Sequence, residues 1–367
     1  MAHQPTIDVY QRAAADYALR RGVQRAERAE AFATGLMPEA LRLDLGCGPG
    51  HYLALLGEPV VAADATEAMV GMVRRDHPGV PALRADLADL PFGRHAFAGI
   101  WASKAHQHLR AADLPLALAD VHRALEVGGR FDLTVFACPP DRSTFEEVTD
   151  AGSGDDLPGR LFTWWDPDHL VTVVEAAGFT VDRCELVPAR HQDHHPRIEI
   201  TATAARALPD HVGAGMRLLC VGLNPSLHAA DAGVGYVTGS NRFWRAMAQA
   251  GLATRDRDPR HLLRADRIGM TDLVKRATPR ADALTTEEYR IGVTRLEQLC
   301  TWLRPGALAI VGLAGWRAGV NRKAPIGWQP EPLGPSPVYV LPSTSGLNAG
   351  TSLDQLALHL ATAATGP

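Results

Sequence analysis

No uninterrupted apolar stretch in this chain of 367 residues approaches the roughly 20 that a membrane-spanning helix needs. No charged segment followed by an apolar core opens it either, and a soluble, cytoplasmic protein with no membrane partner is expected. Cysteine is sparse, with five residues and no paired spacing, which argues against a disulfide framework. Cys47 and Cys220 lie in motif contexts that suit buried, reduced thiols. A metal site is also not expected. The one histidine-rich run, 191–195 (His-Gln-Asp-His-His), supplies at most two ligands in usable geometry, where zinc takes about four.

Acidic excess is confined to one half. The formal net charge is -4, yet residues 206–367 hold 18 basic against 12 acidic residues, +6, and residues 1–205 hold 19 against 29, -10. Such a split is expected where one half meets a phosphate backbone and the other does not. Arg255, Arg257, Arg260, Arg264 and Arg267 concentrate part of the positive charge. They alternate with Asp256, Asp258 and Asp266, so phosphate contact and a solvated loop are both open readings. The length suits two ordinary domains, and the polar, Pro- and Gly-containing stretch 206–214 is the expected linker between domains 1–205 and 215–367.

Within the second half, 216–223 (Met-Arg-Leu-Leu-Cys-Val-Gly-Leu) reads as a buried parallel strand, and Asn224 is the first polar side chain after it. In an open α/β sheet, ligands bind at the carboxyl ends of strands. Pro225 biases Asn224 away from the helical region and fixes the chain after it. The carboxamide is thereby presented as an acceptor and a double donor, suited to orienting water and not to acting as a strong base. Two further motifs follow: Gly-Met-Thr-Asp-Leu-Val-Lys-Arg-Ala-Thr at 269–278, and, after a strand at 338–341, Pro-Ser-Thr-Ser-Gly-Leu-Asn-Ala at 342–349.

Together with Asn-Arg-Phe-Trp at 241–244, these motifs resemble the mismatch-specific uracil/thymine-DNA glycosylases of the uracil-DNA glycosylase superfamily, over residues of about 215–362. The resemblance implies that Asn224 positions the catalytic water and that Tyr236 stacks on an extruded base. Gly222, Leu223, Pro225, Ser226 and Asn241 would complete the base site. Ser345, Gly346, Leu347 and Asn348 would enter the minor groove, with Leu347 as the wedge. Double-stranded DNA with a mismatch is the implied partner, and no cofactor is needed. The family usually has Gly where Ser226 stands, so its Cβ is expected to crowd the approach to the base. The wedge loop reads Ser-Thr-Ser-Gly-Leu-Asn-Ala where relatives often carry Asn-Pro-Ser-Gly. Family members with this Asn and no aspartate in the first motif act mainly on mispaired uracil, with thymine and adducted cytosine variable.

The first half has its own strand and glycine loop, Leu-Arg-Leu-Asp-Leu-Gly-Cys-Gly-Pro-Gly at 41–50. Glycines at 46, 48 and 50 permit a tight turn and close approach to a ligand, and Asp64 follows an apolar run at the distance of a ribose-binding carboxylate. The loop lacks the Gly-x-Gly-x-x-Gly spacing of a nicotinamide site. Residues of about 10–204 resemble the class I S-adenosylmethionine-dependent methyltransferases. The resemblance implies S-adenosylmethionine as cofactor, held by Asp44, Gly46, Cys47, Gly48 and Gly50 at the methionine end, Asp64 and Ala65 at the ribose, and Asp86 and Leu87 at the adenine.

The methyl acceptor is not readable. No Asn-Pro-Pro-Tyr-like motif follows the strand at 97–102, no Pro-Cys nucleophile site appears, and Cys138-Pro139-Pro140 has the wrong order and place. His106 and His108 could act as a base, line a pocket or be structural. Tyr10 and Tyr17 lie on an expected N-terminal lid helix. A turn at 128–131 into a fifth strand and a late helix over 162–178 are expected.

The fold class expected is therefore α/β, with two three-layer α/β/α domains. A Rossmann-like methyltransferase domain precedes a glycosylase-like domain with a central, mostly parallel sheet. The leading function is excision of mispaired uracil joined to methyl transfer. The alternative keeps the methyltransferase active on a small molecule or RNA, with a catalytically weak nucleic-acid-binding module behind it.

Overall fold

The computed structural model describes residues 3–139, 144–149, 156–189 and 195–367. The chain folds as two compact units, Met1–Glu175 with Phe179–Ala205, and Ala176–Gly178 with Arg206–Pro367.

In the first unit, β1 (Arg42–Leu45), β2 (Val60–Asp64), β3 (Ala82–Arg84), β4 (Phe97–Ser103) and β5 (Leu125–Phe136) pair in parallel. A separate ribbon pairs β6 (Phe145–Val148) with β7 (Phe162–Trp165). Then β8 (Phe179–Val187) and β9 (Arg197–Ala204) close the main sheet antiparallel, in the order β3-β2-β1-β4-β5-β9-β8. The strand order reverses between β1 and β4, which places a crevice beyond their carboxyl ends. Every residue of β1 is buried, as a strand covered on both faces requires. The helices are α1 (Gln4–Arg20), α2 (Ala26–Thr34), α3 (Leu53–Leu56), α4 (Glu67–Asp76), α5 (Leu114–Ala124) and α6 (Pro167–Ala176). Phe32 of α2 meets Trp101 of β4 edge to ring at 5.7 Å inside the core.

Two elements differ from expectation. The segment 162–178 begins as strand β7, where Phe, Thr and two Trp pair with β6, and the helix starts only at Pro167. The residues expected as a turn at 128–131 lie within β5, whose register on β4 shifts between Phe97 and Gly99. Gly128 takes φ 85° there, so an irregularity carries the strand on where a turn was expected.

In the second unit, β10 (Leu218–Gly222), β11 (Ile268–Asp272), β12 (Leu308–Val311), β13 (Gly327–Trp328) and β14 (Val338–Leu341) form the sheet β11-β10-β12-β14-β13, parallel except for β13. Around it run α7 (Leu227–Ala232), α8 (Phe243–Gln249), α9 (Pro259–Arg264), α10 (Thr286–Leu303), α11 (Leu313–Gly319) and α12 (Leu353–Thr365). Capping boxes start the two longest: Thr285 with Glu288 on α10, and Ser352 with Gln355 on α12. Gly292 lets α10 lie against the segment after β11, where a Cβ would stand 2.1 Å from the Leu273 carbonyl oxygen.

The stretch 206–214 is largely buried within this unit, at Ala207, Leu208, Asp210 and Val212, and His211 bridges to Met270 of β11. Asp210 is the anchor. Its carboxylate accepts from Lys275 Nζ at 2.6 Å, Arg295 Nη1 at 2.8 Å and Thr271 Oγ1 at 2.6 Å. Burial alone would raise its pKa, but these two cations and the hydrogen bonds bring it below the ordinary carboxylate value. Breaking a buried pair leaves an uncompensated charge. Asp210→Ala is therefore expected to destabilise the second unit by about 3 to 5 kcal/mol, measured by urea unfolding of the full chain.

Candidate active sites

The first site is a cavity of about 730 Å³ in the first unit, within the range of roughly 300 to 1,000 Å³ usual for small-molecule pockets. Its floor is the loop after β1. Gly46, Gly48 and Gly50 have φ of 76°, 53° and 91°, and a Cβ at Gly46 would stand 2.2 Å from the Ala105 Cβ. Asp64, at the end of β2, accepts from the Gly48 N–H at 3.0 Å and the Thr66 N–H at 2.8 Å, tying the loop to the next strand. Asp44 is 2% exposed, and its Oδ2 has no hydrogen-bond partner. Burial, with Asp64 nearby, pushes its pKa up to about 8.

Over the same cavity lies α1, whose Tyr10 and Tyr17 meet edge to ring at 5.3 Å. His108 Nδ1 faces the Leu161 carbonyl at 2.7 Å, so that nitrogen carries the proton and Nε2 accepts from the Tyr10 hydroxyl at 2.9 Å. Arg160 Nη1 donates to the Tyr10 oxygen at 2.8 Å. This chain holds the helix over the cavity and occupies both ring nitrogens of His108. His106 is 1% exposed and packs on Phe131, with burial lowering its pKa to about 4. It does not line the cavity.

The second site gathers at the ends of β10 and β11. Backbone bonds continue the pairing beyond the strands: Leu273 N–H to the Gly222 carbonyl, Val274 N–H to Leu223 and Thr278 N–H to Pro225. Asn224 is held inside this ladder. Its Nδ2 lies 2.7 Å from Thr278 Oγ1, and 3.1 Å from the carbonyl oxygens of both Arg276 and Pro225. With the nitrogen committed, Oδ1 is the acceptor available to a ligand.

Around Gly222 two polar side chains converge. A Cβ there would lie 2.2 Å from Asp272 Oδ1 and 3.0 Å from Tyr236 Oη. Asp272, 8% exposed, has a pKa raised to about 6, first by burial. Tyr236 takes φ 58°, stacks on Phe243 at 4.1 Å between centroids and 19° between planes, and has a buried hydroxyl without a partner.

Arg242, at the start of α8, holds the third motif. Its Nη1 donates to the Thr351 carbonyl at 2.5 Å, and its Nη2 to those of Asn348 at 2.6 Å and Ser345 at 3.3 Å. Gly346 passes close to Ser240, where a Cβ would stand 2.8 Å from the Ser240 Cβ. Leu347, on the fixed loop, is 96% exposed.

Two protein families match this chain. A methyltransferase domain matches residues 43–133, and the uracil DNA glycosylase superfamily matches residues 209–362. The chain joins a methyltransferase domain to a uracil DNA glycosylase superfamily domain. Among solved structures, it is similar to 1,6-didemethyltoxoflavin-N1-methyltransferase from Burkholderia thailandensis, with 20% identity over 55% of this chain and 88% of the other, at a TM-score of 0.46. S-adenosylmethionine-dependent methyltransferases from Methanosarcina mazei (14% identity, 50% and 99% covered, TM-score 0.41) and Mesorhizobium loti (19%, 48% and 97%, TM-score 0.37) are also similar.

In the methyltransferase domain, Asp44, Gly46, Cys47, Gly48, Asp64, Ala65 and Leu87 line one cavity, while Gly50 and Asp86 do not. Gly50 sits behind the loop, where a Cβ would meet Leu53 and His77, and the Asp86 carboxylate caps the Ala88 N–H at 2.9 Å. The residues fit a nucleoside cofactor: the loop has the close backbone approach, and Asp44 carries an unsatisfied buried oxygen. Burial drives the Cys47 thiol pKa well up, which leaves it a poor nucleophile.

In the glycosylase-superfamily domain, Asn224 and Tyr236 are brought to neighbouring strand ends, and Gly222 lies between the polar groups. Leu223 and Pro225 contribute their carbonyls to the ladder. Asn241 Oδ1 accepts from the Phe243 N–H at 2.9 Å, and so serves the backbone. Ser345, Gly346, Leu347 and Asn348 stand together on the loop held by Arg242. Ser226 has a structural use besides the crowding expected of its Cβ. Its φ of -73° suits any residue, and its Oγ accepts from the Ala229 N–H at 3.1 Å to cap α7. Asp272 and Arg242 were not singled out beforehand, though both lie in quoted motifs. Of the histidine run, His191 and His194 lie outside the described residues. Among the described residues, no group of three or more His, Cys, Asp or Glu is placed to hold a metal, and no helix is long and apolar enough to cross a membrane.

A carboxyl whose folded pKa is raised stabilises the fold fully at pH below its unfolded value, and that contribution is lost as pH rises toward the folded one. For Asp44 this window runs from the ordinary value of 3.8 to about 8. Asp44→Asn is therefore expected to show a smaller fall in thermal stability between pH 5 and pH 8 than the wild-type chain.

Proposed function

We propose that the C-terminal domain excises uracil mispaired with guanine from double-stranded DNA, and that the N-terminal domain binds S-adenosylmethionine and transfers its methyl group. The observation that carries the glycosylase reading is the fixed carboxamide of Asn224, whose nitrogen is consumed by Thr278 and Arg276 while Oδ1 stays available. Such a group orients a water without holding a proton itself. Attack of that water on the sugar carbon forms the C–O bond as the N-glycosidic bond breaks; the electron pair leaves with the uracil ring, and the proton lost by the water passes through solvent to the uracil anion.

Extrusion of the base costs least at a mismatch, where pairing is already weak. Phe243 covers one face of Tyr236, and the other face would stack on the flipped base, at about 1 to 3 kcal/mol. Leu347, presented on a loop clamped by Arg242, would fill the gap left in the duplex. Asp272 adds a buried carboxyl that is largely ionised above pH 6, of the sign that favours positive charge developing on the sugar. The net +6 of residues 206–367 suits a phosphate backbone. Thymine and adducted cytosine remain secondary substrates in this reading.

For the methyltransferase domain, S-adenosylmethionine would supply a sulfonium-bound methyl group. Asp64 and the Gly46–Gly48 backbone would hold the ribose and methionine ends, with Leu87 against the adenine. Asp44, which carries an unsatisfied buried oxygen, lines the same cavity. Cys47, Cys220 and Cys300 are buried free thiols, in keeping with a reducing, cytoplasmic setting.

A labelled duplex with one G:U pair tests the first activity: wild type is expected to leave alkali-labile abasic sites, and Asn224→Ala to release uracil at least about 100-fold more slowly. Equal release by the variant would refute the role of Asn224. Calorimetry with S-adenosylhomocysteine tests the second, with binding expected for wild type and lost in Asp64→Ala.

A further inference from the structure

The cavity of the methyltransferase domain is lined by more cations than the cofactor reading uses. Arg21, Arg25, Lys104, Arg160 and Arg197 all face it, and Asp156 joins them from the same wall. Carboxylates are shared among these cations. Asp156 serves Arg21 at 2.6 Å and Arg160 at 3.8 Å. Glu199, 4% exposed, serves Arg197 at 2.9 Å and Arg25 at 3.4 Å, and also Arg28 at 3.8 Å. Glu27 adds a solvent-exposed partner for Arg25.

Lys104 has no carboxylate in salt-bridge contact among the described residues. It follows β4, at the switch point of the sheet, and takes the left-handed backbone conformation with φ 61° while its N–H bonds the Thr134 carbonyl. Its Nζ donates to the neutral Gln24 Oε1 at 2.6 Å and lies 5.8 Å from the centre of the Phe136 ring. Burial, then the charges of Arg197 and Arg21, lower its pKa to about 8. Glu199 opposes this shift, but it is shared among Arg197, Arg25 and Arg28, and an anion bound in the cavity would meet Lys104, Arg21 and Arg197 together. Flat apolar surface is also at hand. Phe136 lies beside Lys104, and Phe162 lies under the Arg160 guanidinium at 4.9 Å.

Resting on the reading of this cavity as a cofactor site, we propose that the methyl acceptor is a small planar organic anion whose carboxylate or phosphate is bound by Lys104, with Arg21 and Arg197 lining the same cavity. A nucleic acid is disfavoured as acceptor because residues 1–205 carry a net charge of -10, which repels a polyanion before it reaches the enclosed cations.

The full chain, saturated with S-adenosylhomocysteine, is titrated calorimetrically with 2-hydroxybenzoate and its amide, with phenyl phosphate and phenol, and with a short single-stranded oligonucleotide. At least one acid is expected to bind about tenfold or more tightly than its neutral partner, and the stronger of the two acids identifies the anionic group. Lys104→Met is expected to remove that preference, with retained S-adenosylhomocysteine binding showing that the variant is folded. Arg197→Gln provides an independent variant expected to weaken it. Equal binding of acids and neutral partners overturns the proposal, as does an oligonucleotide that displaces the acids or a preference unchanged in both variants. If wild type fails to bind S-adenosylhomocysteine, the cofactor reading falls and takes the proposal with it. If the cofactor product binds and no acid is preferred, only the acceptor proposal falls.

Discussion

A parallel strand covered by helices on both faces can carry polar side chains only where it ends, because a carboxylate or amide within it would be buried without a partner. Both units obey this constraint, and both sites follow from it. Asp64 closes β2, Asn224 comes two residues after β10, and Asp272 closes β11. Two buried carboxylates lie inside the parallel-paired strands: Asp132 of β5 is met by Arg28 and Arg130, while Asp44 of β1 shows the cost, a buried oxygen without a partner among the described residues and a pKa raised to about 8. Chemistry-bearing groups therefore cluster at one edge of each sheet, and the loops there decide what they meet.

What those loops do is hold side chains in a single orientation. In the second unit the pairing of β10 and β11 continues as main-chain bonds through Thr278, and this ladder turns the Asn224 amide so that its nitrogen faces the protein. The same approach forbids a side chain at position 222, since Asp272 and Tyr236 crowd its Cα. Arg242 gives the third motif its shape by binding three carbonyls at once, a use suited to the fork of a guanidinium. Leu347 can then stay exposed on a loop whose backbone is fixed, which a wedge needs and a mobile loop would not supply.

Local chemistry made much of this legible in the sequence. Strand β10, the Asn-Pro turn, the glycine loop and Asp64 are set by residues within a few positions of one another, and each stands near where its pattern placed it. The elements that depend on distant partners were not legible. Residues 206–214 look like a linker by composition, but Asp210 finds Lys275 and Arg295, 65 and 85 positions away, and those contacts draw the stretch into the second unit. Phe162 to Trp165 fit a helical pattern until β6 offers a partner strand. The family pattern has Gly where Ser226 stands, and the use of its hydroxyl as the cap of the helix beginning at Leu227 was not read from that pattern. His106 and His108 stand two residues apart, but one lies in the core and the other joins Tyr10, a distinction set by α1, nearly 100 residues earlier.

Net charge and site charge are separate quantities in this chain. Residues 1–205 are acidic overall, and most of that charge lies where water screens it within roughly 8 to 10 Å. At the cavity, Asp156 and Glu199 are shared among five guanidiniums, and the hydrogen-bond partner of Lys104 is a neutral amide. The exterior field therefore acts on what approaches and the enclosed cations on what stays. An acidic surface over a cationic interior admits a small single anion, whose approach is barely opposed at cellular ionic strength, far more readily than a polymer that must bring many phosphates through the same field. The second half has the opposite arrangement, a basic total with its carboxyl Asp272 buried, which suits a duplex held outside and a neutral base drawn in. In the first half the cations lining the cavity oppose the net charge of the domain, so composition alone does not give the sign of the site.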